Sequence, residues 1–159
     1  MQSVSSFTTS STATYYFESV GPTVGMAAVE TPTGRYRVSV EQSFIAQHFL
    51  TVPNPGPEGV VHSHQFRLQV IFTGDSLNEY GYLVDIDAIK DAIETVIETY
   101  GDETLNELPP FEGLNPSVEH FARIVCEDIL ETTAVDVPTQ VTVRLWEDDE
   151  AYASFTTEI

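Results

Sequence analysis

The segment "EGVVHSHQF", Glu58 to Phe66, places two of the chain's four histidines at positions i and i+2. On an extended backbone such residues point to the same side, so His62 and His64 would present two imidazoles together. His48 lies upstream, near the end of a second alternating segment. Two imidazoles from one strand and a third from its hairpin mate can converge on one ion. A catalytic zinc takes three protein ligands in this way and keeps a fourth position open. A lone H-x-H is also what two unrelated surface histidines look like, so the metal reading depends on the hairpin that would bring His48 across.

That hairpin is legible in the pattern. In "GRYRVSVEQSFIAQHFL" the positions Tyr36, Val38, Val40, Phe44, Ala46 and His48 share one parity, and Arg35, Arg37, Ser39 and Glu41 take the other, as in a half-buried strand. Pro53, Pro55, Gly56 and Pro57 then break the run. "VHSHQFRLQVIFTG" alternates again, with His62, His64, Phe66, Leu68, Val70 and Phe72 on one face. "DIDAIKDAIETVIETYG" changes to the helical period, with Ile86, Ile89, Ile93, Val96, Ile97 and Tyr100 as its stripe, Asp85 as cap and Gly101 as a C′ stop. A second helix is expected in "NPSVEHFARIVCEDIL", capped by Asn115 with Pro116 at its first position. Cys126 falls on its apolar stripe and reads as a small hydrophobe. Glu119, in the first turn, suits the helix dipole, and His120 faces away from the hairpin. "TQVTVRLWEDDEAYASF" gives two more strands around the acidic turn Glu147 to Glu150. The order strand, strand, helix, helix, strand, strand predicts an α+β fold: a four-stranded antiparallel sheet with both helices on one face.

A length of 159 residues with 42% hydrophobic content fits one compact domain. Residues 1–33, rich in Ser and Thr, are expected as a flexible tail, with residues 34–159 as the domain. Met26 would allow a later start, and "TATYYF" could add a strand. Against six Lys and Arg stand 25 Asp and Glu, a net charge of −19. Such a surface repels phosphate backbones and anionic lipid, which argues against nucleic-acid and membrane partners. The same excess suits a salt-rich cytosol, where screening removes self-repulsion, although an acidic protein from an ordinary cytosol would look alike. Cys126 is the single cysteine, so no intramolecular disulfide is available and a reducing cytoplasm is the expectation. No apolar run is long enough to cross a bilayer as a helix, and no secretory signal opens the chain.

Six collinear segments carry a family resemblance. "FIAQHFL" resembles an F-x-A-x-H segment, "HSHQF" an H-G-H-x-[YF] segment and "GYLVDI" a G-M-V-x-D-F segment. "TLNEL" resembles an L-N segment, "NPSVEHFA" an N-P-T-x-E-x-x-A segment and "LWEDDEAYASF" a V-x-E-T ending. These belong, in this order, to the 6-pyruvoyl-tetrahydropterin synthase and 6-carboxy-tetrahydropterin synthase family, and the resemblance is of a divergent, haloarchaeal type.

What the resemblance implies is a zinc-dependent lyase on the tunnelling fold, acting on 7,8-dihydroneopterin triphosphate or a related pterin. His48, His62 and His64 would hold Zn2+, and Glu147 would anchor the pterin, since a carboxylate accepts two parallel hydrogen bonds from an amidine-like edge. Subunits would assemble into a hexamer-like barrel with sites between protomers. The chain also departs from the family pattern. Glu58 stands where the synthases carry a cysteine base, and Asp102 and Glu103 stand where an Asp-His pair is expected. Glu58 resembles the replacement in members that leave 6-hydroxymethyl-dihydropterin, and it could serve as the base if burial raised its pKa. Glu58, Asp102 and Glu103 are thus the candidate catalytic carboxylates. The alternative is a zinc- and pterin-binding protein that has lost turnover.

Overall fold

The computed structural model describes residues 34–159, and the expected N-terminal tail, the "TATYYF" strand and the Met26 start lie outside them. Four strands, β1 (Tyr36–His48), β2 (His62–Gly74), β3 (Gln140–Trp146) and β4 (Tyr152–Glu158), form one antiparallel sheet in the order β1-β2-β3-β4. Helices α1 (Ile86–Tyr100) and α2 (Val118–Thr132) separate the two hairpins in sequence. They pack on one face, α1 against β1 and α2 against β3 and β4.

The parity read from the sequence decides which side chains face the helices. Phe44, Ala46 and His48 of β1 are buried, as are Phe66, Leu68, Val70 and Phe72 of β2, while Ser39, Glu41, Ser43 and Ile45 are exposed. Five aromatic rings, those of Phe44, Phe66, Tyr100, Phe111 and Phe121, meet at centroid distances from 5.2 to 6.3 Å in this interior. Fully burying one such ring stabilises by about 1.5–3 kcal/mol. The cluster runs up to the site, since Phe66 lies 6.1 Å from the His48 ring and 5.7 Å from that of His64.

Helix ends show where short-range chemistry won over the expected signals. Asp85 caps α1, its Oδ1 accepting from Asp87 N at 2.9 Å. Ile86, expected on the buried stripe, is half-exposed because it sits at the first turn, and Ala92 takes a buried place instead. Gly101 ends α1 in an extended conformation, and the left-handed residue is Asp102, at φ 61°. Gly101 is required for a different reason: a Cβ there would stand 2.5 Å from the Ile97 carbonyl oxygen. The cap of α2 is Ser117, whose hydroxyl accepts from His120 N, and not Asn115. The Asn115 side chain instead accepts from Thr51 N at 2.8 Å and ties the loop after β1 to the start of α2. Cys126 is fully buried, with its thiol pushed up to about 11 by desolvation, as a small hydrophobe should be. Among the described residues no helix is long and apolar enough to cross a membrane.

Candidate metal centre

The β1–β2 register places His48 directly opposite His62 and Ala46 opposite His64. Because His62 and His64 share a face, all three rings meet at the loop end of the hairpin. Ring centroids are 4.7 Å apart for His48 and His62, 5.1 Å for His48 and His64, and 4.8 Å for His62 and His64. One ligand atom from each of these histidines and one from Glu147 lie within 4.8 Å of one another.

Hydrogen bonds on the far side of two rings fix which nitrogen faces inward. His48 Nδ1 lies 2.9 Å from the Pro116 carbonyl oxygen, and His62 Nδ1 lies 2.7 Å from that of Val60. A carbonyl oxygen only accepts, so Nδ1 carries the proton and donates in both rings, leaving a lone pair on each Nε2 when the ring is neutral. Such outer bonds orient metal-ligating imidazoles. The inward side is then short of donors. His48 Nε2 and His64 Nε2 face Glu147 Oε1 at 3.0 and 3.1 Å, and His62 Nε2 faces Glu58 Oε2 at 2.8 Å. These approaches are close in distance, yet none of the three buried Nε2 atoms has a hydrogen-bond partner of acceptable geometry. Lone pairs facing carboxylate oxygens repel unless a cation stands between them. Three imidazolium rings at 5 Å spacing would repel one another, whereas one divalent ion would satisfy all three nitrogens. The donor set therefore fits a metal ion, as expected from the spacing.

The electrostatics without an ion follow the same contacts. Burial opposes charge on His48, but the Glu147 carboxylate and the Pro116 carbonyl outweigh it and raise its pKa. At His64 burial dominates and the pKa is lowered. Contact with His48 holds the Glu147 carboxyl below its ordinary range, against burial.

Beside the rings lies a cleft of about 370 Å³, lined among others by His48, Glu58, Ser117, Glu119, Glu147 and Tyr152. Glu58 reaches it from a short 3₁₀ turn, Gly56–Gly59, tied to the end of the β1 segment by Leu50 N donating to the Glu58 carbonyl at 2.7 Å. Glu147 follows the last residue of β3. Four of the expected site groups (the three histidines and Glu147) thus converge, with Glu58 at their margin. Asp102 and Glu103 do not join them. Their side chains are exposed, and their backbones pair with the free edge of β1, Asp102 N donating to the Ile45 carbonyl and Gln47 N to that of Glu103.

Residues that the sequence reading left out complete the setting. Asn106 holds the backbone after His48 at both ends, its Oδ1 accepting from Phe49 N and its Nδ2 donating to the Phe49 carbonyl, each at 2.9 Å. The "TLNEL" segment was the available signal for it. Glu119, read only as a helix-dipole residue, lines the cleft. The carbonyls of Val60 and Pro116 left no side-chain signal.

Comparison with known proteins agrees with this architecture. The family described as "6-pyruvoyl tetrahydropterin synthase" matches residues 37–158. A Pyrococcus abyssi protein described as "Putative 6-carboxy-5,6,7,8-tetrahydropterin synthase" is 25% identical over 142 residues, 76% of this chain and 89% of that one. The Caenorhabditis elegans 6-pyruvoyl tetrahydropterin synthase superposes with a TM-score of 0.67 at 18% identity, covering 78% of this chain and 96% of that one. A Plasmodium vivax 6-pyruvoyltetrahydropterin synthase, solved with a catalytic glutamate replaced by alanine, gives a TM-score of 0.65 at 14% identity over 79% and 99%. With the match spanning nearly the whole described domain, the chain belongs to the 6-pyruvoyl tetrahydropterin synthase family.

Proposed function

We propose that this protein is a zinc-dependent pterin lyase acting on 7,8-dihydroneopterin triphosphate or a related dihydroneopterin phosphate, with a 6-pyruvoyl-, 6-carboxy- or 6-hydroxymethyl-pterin as product. One observation carries the reading: the Nε2 atoms of His48, His62 and His64 converge without hydrogen-bond partners beside a cleft lined by His48 and the carboxylates of Glu58, Glu119 and Glu147. His48, His62 and His64 would hold the ion, which when bound supplies Lewis acidity to a coordinated substrate hydroxyl. Glu147, at the cleft, offers two acceptor oxygens to the N–H edge of a pterin ring. Glu58 is the candidate base, reaching the cleft from the turn before β2. A catalytic carboxylate has a parallel in the Plasmodium vivax synthase, which is described with a catalytic glutamate. Any relay by Asp102 or Glu103 would act from the rim. A fall in kcat in D102N or E103Q, with metal content intact, would assign them to the reaction.

The same proposal extends to the assembly and its setting: a homo-oligomer with sites between subunits, in a salt-rich cytoplasm. The outer edge of β4 and most of that of β1 are unpaired among the described residues, and open edges need covering.

A second reading, zinc and pterin binding without turnover, is favoured by the absence of a cysteine at Glu58 and of a histidine at Glu103. Incubation of the zinc-loaded protein with dihydroneopterin triphosphate, followed by chromatography, separates the two. A new pterin product supports the lyase, and bound but unchanged substrate at full metal loading supports the binder.

A further inference from the structure

Glu147 stands closer to the imidazoles than pterin anchoring alone requires. Its Oε1 lies 3.0 Å from His48 Nε2 and 3.1 Å from His64 Nε2. Ligand atoms held about 2.0–2.2 Å from a tetrahedral ion are about 3.3–3.6 Å from one another. This oxygen therefore stands near ligand spacing from two of the three nitrogens, and all four ligand atoms lie within 4.8 Å of one another. The same side chain is 28% exposed and lines the cleft, so a ligand can reach it from the open side. Its backbone position allows both contacts. Trp146, paired with Tyr152, is the last ladder residue of β3, and Glu147 opens the turn that follows. The rest of that turn is fixed by Asp148, whose Oδ1 accepts from the amides of Glu150 and Ala151 at 2.8 Å each.

We propose that Glu147 is a metal ligand in the pterin-free protein, completing a three-histidine, one-carboxylate set, and that pterin binding withdraws it from the ion. Only the second half rests on the pterin reading above. With the carboxylate coordinated, the fourth position is closed to water. A pterin offering two parallel N–H donors draws the carboxylate away and opens that position for its own side chain. The coupling is reciprocal, so a pterin lacking hydroxyls on its side chain should loosen the ion, and the ion should loosen that pterin.

The test uses the full chain, stripped with a chelator and reloaded with Co2+. A carboxylate in the fourth place leaves no bound water to ionise, so the wild-type visible spectrum should stay constant between about pH 6 and 9, where metal-bound water titrates. Glu147→Gln should gain a transition in that range and lose about 10- to 100-fold in metal affinity by chelator competition. Glu147→Asp keeps the charge but shortens the reach, and should behave like the Gln variant. A titrating wild-type spectrum, or wild-type affinity in the Asp variant, would overturn the coordination. Adding 6-methylpterin should then change the wild-type spectrum and leave that of Glu147→Gln unchanged. Heat of pterin binding without any spectral change would refute the withdrawal. No heat at all would refute it together with the pterin reading, while the pH and affinity results still decide the coordination.

Discussion

Glu58 is the residue on which turnover depends in this account. Glu58→Gln keeps the side chain's size but cannot take a proton, so turnover should fall by at least about 100-fold, in line with loss of general-base catalysis, while zinc content stays at the wild-type level. Full residual activity would assign the base elsewhere. Asp128 gives a separate prediction, one of stability. Burial raises its pKa, with Glu131 and Glu127 adding to the effect against the opposing Tyr100 hydroxyl, which donates to Oδ2 at 2.6 Å. A carboxyl with a raised folded pKa binds its proton more tightly when folded, so stability is gained as pH falls through that pKa. Asp128→Asn should therefore equal or exceed wild-type stability near neutral pH, with the difference shrinking on acidification, as measured by urea denaturation at about pH 7 and pH 5. At this scale the histidines were legible because i, i+2 spacing and strand parity determine where side chains point. The carbonyls of Val60 and Pro116 were not, because every residue has a carbonyl and only tertiary structure selects two of them.

Elements were readable wherever a period ran long enough. Strands β1 and β2 and both helices fall within three residues of the expected bounds, since each presents a long polar–apolar rhythm. Termini were less readable, because adjacent residues compete for the same role. In "NPSVEH" both Asn115 and Ser117 can cap, and the loop bond from Thr51 takes Asn115 away. In "YGDE" glycine is the obvious left-handed residue, yet Asp102 adopts that conformation because its amide donates to Ile45 on β1 at 2.7 Å. Two substitutions test these joints. Ser117→Ala should cost about 0.5–2 kcal/mol through the lost cap. Asn106→Ala, which leaves both Phe49 backbone groups without their partner, should cost about 1–3 kcal/mol and lower metal affinity by loosening the chain next to His48. Chemical denaturation and chelator competition read the two effects; unchanged affinity in Asn106→Ala would show that His48 is held by Pro116 alone.

For the whole molecule, the sequence carried the order of elements and the single helix-covered face, but not the pairing of β2 with β3 across both helices. That contact is distant in sequence and has no local signature. The acidic surface does have a direct consequence. With a net charge of −19, self-repulsion should be relieved as the Debye length falls to about 3 Å near 1 M salt, so the thermal midpoint should rise with KCl, and a midpoint unaffected by salt would remove the halophilic expectation. The most direct test of the central claim is elemental analysis of the purified full chain beside its His62→Ala/His64→Ala variant. One divalent ion per wild-type chain is expected, with its loss from a variant that remains folded by circular dichroism; a metal-free wild type reconstituted without uptake, or a variant that keeps its ion, would contradict a metal centre built on these histidines.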